Sequence, residues 1–142
     1  MSASQRRPPG ANLTIALLWC LVGGIASYWL AVAGNHGVSL DAAYLSCAAV
    51  FPPADAVLGC TAAITAELLR RRRVVAVLTG LLTAGALGFL GIADVTINLT
   101  FGVYRNGSGA SLAWELWVNA FSLGFSAWLA TFCWRHRRTL DA

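Results

Sequence analysis

Two acid–amide pairs at helical spacing are the residues of this chain best suited to chemistry. Asp94 precedes Asn98 by four residues in GIADVTINLTFGVY, and Glu115 precedes Asn119 by four in ELWVN. Residues four apart lie one above the other on a helix, so each pair presents a carboxylate and an amide on one face. A third carboxyl, Asp55, follows Pro52 and Pro53 in AVFPPADAV. Oxygen donors of this kind suit a proton, Na⁺ or a hard divalent ion better than zinc, and no histidine falls among them. A structural role for the same residues is the alternative, with amides and carboxyls tying helix ends together by hydrogen bonds.

Catalysis has less support. His36 and His136 stand apart from any Ser/His/Asp arrangement, and the chain contains no HExxH, GxSxG or P-loop string. A pair of acids acting as general acid and base is the one catalytic option left. Cys20, Cys47, Cys60 and Cys133 are scattered without a CxxC pair and read as small hydrophobes rather than as a redox or metal site. No catalytic residue, metal or cofactor is therefore expected.

The elements that must position the acids are membrane helices. Of 142 residues, 58% are apolar and 11% charged, far from the soluble balance of about 45–50% and 25%. Mean hydropathy is +0.66. A hydrocarbon core of about 30 Å takes about 20 helical residues, and four segments approach or exceed that length: 13–33, 52–69, 74–98 and 112–134. They account for residues 1–142 as a single membrane domain. The first segment is too long for a signal-peptide apolar region of about 7–15 residues and reads as a retained helix.

Orientation follows from arginine, since the chain has no lysine. Arg6, Arg7, Arg70, Arg71, Arg72, Arg73, Arg135, Arg137 and Arg138 lie at one set of helix ends, and only Arg105 lies at the other. This asymmetry predicts cytoplasmic termini, with Arg70 to Arg73 as a topology anchor between the second and third helices. Tyr28, Trp29, Tyr44, Tyr104, Trp114 and Trp117 fall near the opposite ends, as an interfacial aromatic belt would. The net charge of +4 has no basic face with interleaved aromatics behind it, so the arginines point to anionic lipid headgroups rather than nucleic acid. Glu67 is expected to pair with the arginine run. Of the acceptor-like sequons, only Asn106 lies where a glycan could be attached.

Small residues allow close backbone approach between membrane helices, and polar side chains bond across the interface. Gly80, Ala84, Gly88 and Gly91 form such a seam in the third helix, continued by Asp94, Asn98 and Gly102. In the fourth helix, Glu115, Asn119, Ser122, Ser126 and Ala130 form another, with Trp117, Phe121, Phe125, Trp128 and Phe132 on other faces. The second helix offers Asp55, Gly59, Ala62 and Ala66, and the first Ala16, Cys20, Gly23, Ser27 and Ala31. The expected fold is an all-α, up-down transmembrane four-helix bundle with a polar interior near its outer face. Three carboxyls confined there cannot all stay ionised comfortably without a cation.

Pro52 and Pro53 predict a break or kink, because a helix over 42–69 would lose two backbone hydrogen bonds to them. The second helix then either starts at Pro52, with Asp55 near its positive end, or carries an ordinary kink.

FPPAD, DVTINLTFGVY and ELWVN together resemble the layout of small bacterial four-helix membrane proteins with no assigned function. That resemblance implies a fold and a multi-pass place in the bacterial plasma membrane, and no activity. Two functions remain open: a protein that binds or transports an ion or small polar solute, which would dimerise to enclose a path, and a non-catalytic accessory or scaffold subunit with a membrane-protein partner.

Overall fold

The computed structural model describes residues 8–33, 51–107 and 109–140, with side chains except at 31–33, 110–111 and 138–140. The described chain is helical: α1 (Ala11–Ala33), α2 (Phe51–Arg70), α3 (Val75–Thr100), the single turn α4 (Val103–Asn106) and α5 (Gly109–Leu140). Three stretches, Ala11–Leu30, Val75–Thr100 and Leu112–Arg137, are long and apolar enough to cross a membrane. The second helix is not among them. Its 20 residues include Pro52, Pro53, Asp55, Glu67 and Arg70, which lower its hydropathy.

Local chemistry sets the helix ends. Pro52 and Pro53 are helical, the second and third described residues of α2, and the helix ends at Arg70. Residues upstream of the expected break, 34–50, lie outside the described residues, as do Tyr44, Cys47 and His36. Glu67 receives a bidentate contact from Arg70, both distances 2.7 Å, and a further contact from the Arg71 guanidinium. The pairing expected for Glu67 is present, and such exposed pairs contribute only about 0–1 kcal/mol. At the other end of α3, Gly102 adopts φ 68°, a left-handed conformation that ends the helix and starts α4.

Helix α3 lies at the centre, packed against α2 and α5, while α1 packs against α2. The α3–α5 contact is close because its seam lacks side chains. A Cβ on Gly80 would overlap the Cys133 sulfur, one on Gly88 would fall 2.7 Å from Ser126 Oγ, and one on Gly91 would fall 3.2 Å from Ser122 Cβ. Polar atoms in these interfaces are used: Ser126 donates to the Ala84 carbonyl at 2.8 Å, and the Thr65 and Thr83 hydroxyls lie 3.2 Å apart between α2 and α3.

Helix α1 differs from the expected packing. Ala16, Cys20, Gly23 and Ser27 face outward, and Gly23 has no neighbour a Cβ would touch. Ala11, Thr14, Leu18 and Leu21 are buried in their place. Bulky side chains fill the gap to α2 and α5 better than a small-residue seam, which needs an opposing surface of matching closeness. Helix α5 buries two faces. Leu129 and Cys133 belong to the face beside Ser122 and Ser126, while Phe125 and Phe132 turn towards α1. There Trp128 Nε1 donates to Thr14 Oγ1 at 3.2 Å, linking the two helices.

Candidate cation and polar-solute site

The acid–amide pairs meet at the end of the molecule opposite the arginine-rich turn. Helix α3 supplies Asp94 and Asn98, α5 supplies Glu115 and Asn119, and α2 supplies Asp55. All three acids are partly buried. Asn98 is completely buried (0% exposed), and its amide nitrogen donates to Asp94 Oδ2 at 3.3 Å and to Glu115 Oε2 at 3.2 Å. One amide thus bridges the carboxyls of two helices. With both carboxyls ionised, the opposite orientation would put its oxygen against both.

Asn119, 5% exposed, donates to the Tyr104 hydroxyl at 2.7 Å, and its side chain also lies against Asp94. Asp55 accepts a hydrogen bond from Trp29 Nε1 at 2.9 Å. The Tyr28 phenol lies within electrostatic reach of Asp55, Asp94 and Glu115 together, which places α1 at the same cluster.

What remains unmatched is all of one kind. Among the described residues the buried side-chain polar atoms without a partner are Asn98 Oδ1 and Asn119 Oδ1, both acceptors. Asn98 donates to two acids, Asn119 to Tyr104, and Trp29 to Asp55. Both ion pairs among the described residues use Glu67, so none neutralises Asp55, Asp94 or Glu115. An unsatisfied buried acceptor costs about 1–3 kcal/mol. Two orphaned amide oxygens and three carboxyls without a cationic partner are groups that a cation or a donor-rich solute would satisfy.

The three carboxyls expected near one end of the bundle do not form a metal cluster of acids. No three His, Cys, Asp or Glu side chains among the described residues are grouped to hold a metal. The Asn98 amide nitrogen lies between Asp94 and Glu115, and Asp55 bonds to Trp29 of α1. Any ion here would be held by a mixture of carboxylate and amide oxygens.

Three participants were not singled out by sequence spacing. Trp29, Tyr28 and Tyr104 read as members of an aromatic belt, yet Trp29 donates its N–H to Asp55, the Tyr104 hydroxyl accepts from Asn119, and Tyr28 lies within electrostatic reach of the acids. The one signal available was their position beside the acids at the same helix ends. Gly80, Ala84, Gly88 and Gly91 lie along α3 facing its neighbours, and Arg70 to Arg73 lie at the far end. No protein-family model, curated protein or solved structure matches the chain.

Proposed function

We propose that this chain is a multi-pass integral membrane protein of a bacterial plasma membrane, with four crossing helices and cytoplasmic termini, that binds a cation or cationic polar solute near its outer face. Helix α2 completes the up-down bundle as the fourth span, since α1, α2, α3 and α5 succeed one another with a short turn between α2 and α3. The observation that carries the binding role is the pair of orphaned amide oxygens, Asn98 Oδ1 and Asn119 Oδ1, on side chains that border acids with no cationic partner among the described residues. A bound cation stabilises the folded state by linkage. Thermal unfolding in detergent should therefore shift upward with Na⁺ or NH₄⁺ relative to tetrabutylammonium at equal ionic strength, and Asp94→Asn should remove the difference. Identical unfolding in all three salts would defeat this reading.

One observation favours an accessory or scaffold role beside it. Helix α1 turns Ala16, Cys20, Gly23 and Ser27 outward, a surface of the type that membrane helices use to associate with a second copy or another membrane protein. Oxidative crosslinking through exposed Cys20 in native membranes should trap a dimer or a partner complex, lost in Cys20→Ser. A chain that stays monomeric in this assay has no second Cys20, or other thiol, within disulfide reach on that face.

A further inference from the structure

We propose that the acid–amide cluster exchanges one monovalent cation for one proton, so that the cation enters only as a proton leaves the Asp94–Glu115 pair. This inference rests on the cation-binding reading above and adds the coupled proton.

The pair has no local counterion. Asn98 Nδ2 reaches both Asp94 Oδ2 and Glu115 Oε2, which makes the two partly buried carboxyls close neighbours. Glu115 on α5, Asp55 on α2 and the Tyr28 phenol on α1 all interact electrostatically with Asp94. From α4, the Tyr104 hydroxyl meets the cluster through Asn119, while Arg105 is exposed. Both ion pairs among the described residues use Glu67, at the far end. Like charges this close are costly without a counterion, and a proton relieves the cost as a cation would.

The unmatched amide oxygens suit either occupant. Asn98, 0% exposed, and Asn119, 5% exposed, each leave Oδ1 without a donor. A protonated carboxyl supplies an O–H donor to such an oxygen, and a hard cation coordinates it directly. Asn119 lies against Asp94, and Asn98 against both acids, so each orphaned oxygen belongs to a side chain that touches the pair. The Asn98 bridge survives the exchange, because a carboxyl with a proton on one oxygen still accepts on the other.

The exchange balances with one charge in and one out. The O–H bond of Asp94 or Glu115 breaks, its electron pair stays on the carboxylate oxygen, that oxygen coordinates the incoming cation, and H⁺ passes to water. Proton and cation use the same oxygen, so they compete. A divalent ion such as Ca²⁺ would need about 6–8 convergent oxygens, and no three acids among the described residues are grouped to contribute to them. Towards the arginine-rich turn the α3–α5 seam is closed: a Cβ on Gly91 would fall 3.1 Å from Leu123 Cδ2, and Ser126 and Cys133 cover Gly88 and Gly80. Both occupants therefore exchange with the opposite end.

The full-length protein in detergent and weak buffer, with a pH-indicator dye, would be titrated at a series of pH values with Na⁺, and with tetrabutylammonium at equal ionic strength as the control. Na⁺ should release about one proton per ion bound, and its affinity measured by calorimetry should fall up to about tenfold for each unit the pH is lowered through the exchange. In the wild-type protein, the infrared carbonyl stretch of a protonated carboxyl should fade as Na⁺ saturates, a readout that needs no variant to fold. Asp94→Asn and Glu115→Gln should each abolish the proton release, and Glu67→Gln should leave it intact. Na⁺ binding without proton release at any pH, an affinity indifferent to pH, or a carboxyl band unchanged by Na⁺ would overturn the exchange and leave a simple cation site. Full proton release in both Asp94→Asn and Glu115→Gln would overturn it as well. Absence of Na⁺ binding at every pH would instead remove the cation-binding reading itself.

Discussion

Replacing Gly80 by alanine tests the central packing contact with one methyl group. The new Cβ would overlap the sulfur of Cys133, which is fully buried, and would also stand 3.5 Å from Thr65 Cγ2, so it is confined between α5 and α2. Overpacking of this kind costs about 1–3 kcal/mol. Alanine also gains about 1 kcal/mol of helix propensity over glycine, which would mask part of the loss. Gly85→Ala supplies the reference: it lies in the same helix, its Cβ would meet nothing within 4 Å, and it receives the same propensity gain. Gly80→Ala should therefore be less stable than Gly85→Ala by about 1–3 kcal/mol, measured by reversible unfolding of purified protein in mixed detergent. Cys133→Ala removes the atom in conflict. Alone it should destabilise by leaving a small cavity, but in the Gly80→Ala background it should restore stability, giving a coupling energy of about 1–3 kcal/mol. Equal stability of the two alanine variants, or no rescue by Cys133→Ala, would refute the α3–α5 packing described above.

Two further outcomes are expected. Asn98→Leu removes the amide that bridges Asp94 and Glu115 but also removes an orphaned oxygen, so the net loss of stability should be about 1–3 kcal/mol, with part of it recovered in an Asp94→Asn background; stability unchanged by Asn98→Leu would mean the bridge contributes nothing. Reporter fusions after residues 36 and 107 should report outside, and fusions after 72 and 138 inside, so a cytoplasmic signal from either of the first two would overturn four spans with cytoplasmic termini.

Much of the architecture was legible from composition and spacing. Helical character and the apolar spans follow from run length and hydropathy, which are properties of the chain independent of its neighbours. The α3 seam was legible for a related reason. Glycine recurring at three- and four-residue spacing leaves a strip that only another helix can cover closely, and α5 covers it at Gly80, Gly88 and Gly91. The spacing of Asp94 with Asn98 and of Glu115 with Asn119 likewise put each acid beside an amide before any fold was known.

Tertiary structure decided what those strips and pairs meet. Helix α1 carries a small-residue strip as regular as that of α3, yet Leu18 and Leu21 face the core and the strip faces out. Periodicity marks a face, and only the volume left by the neighbouring helices determines which face fills it. The same limit applies to the acids. Spacing gives the pairing within one helix, but that one Asn98 amide serves both Asp94 and Glu115, that Trp29 holds Asp55, and that two amide oxygens remain unmatched depend on distances between helices. Hydrogen bonds are short-range and directional, so a rotation or slide of α5 against α3 by one residue would redistribute every one of them while leaving the sequence pattern unchanged.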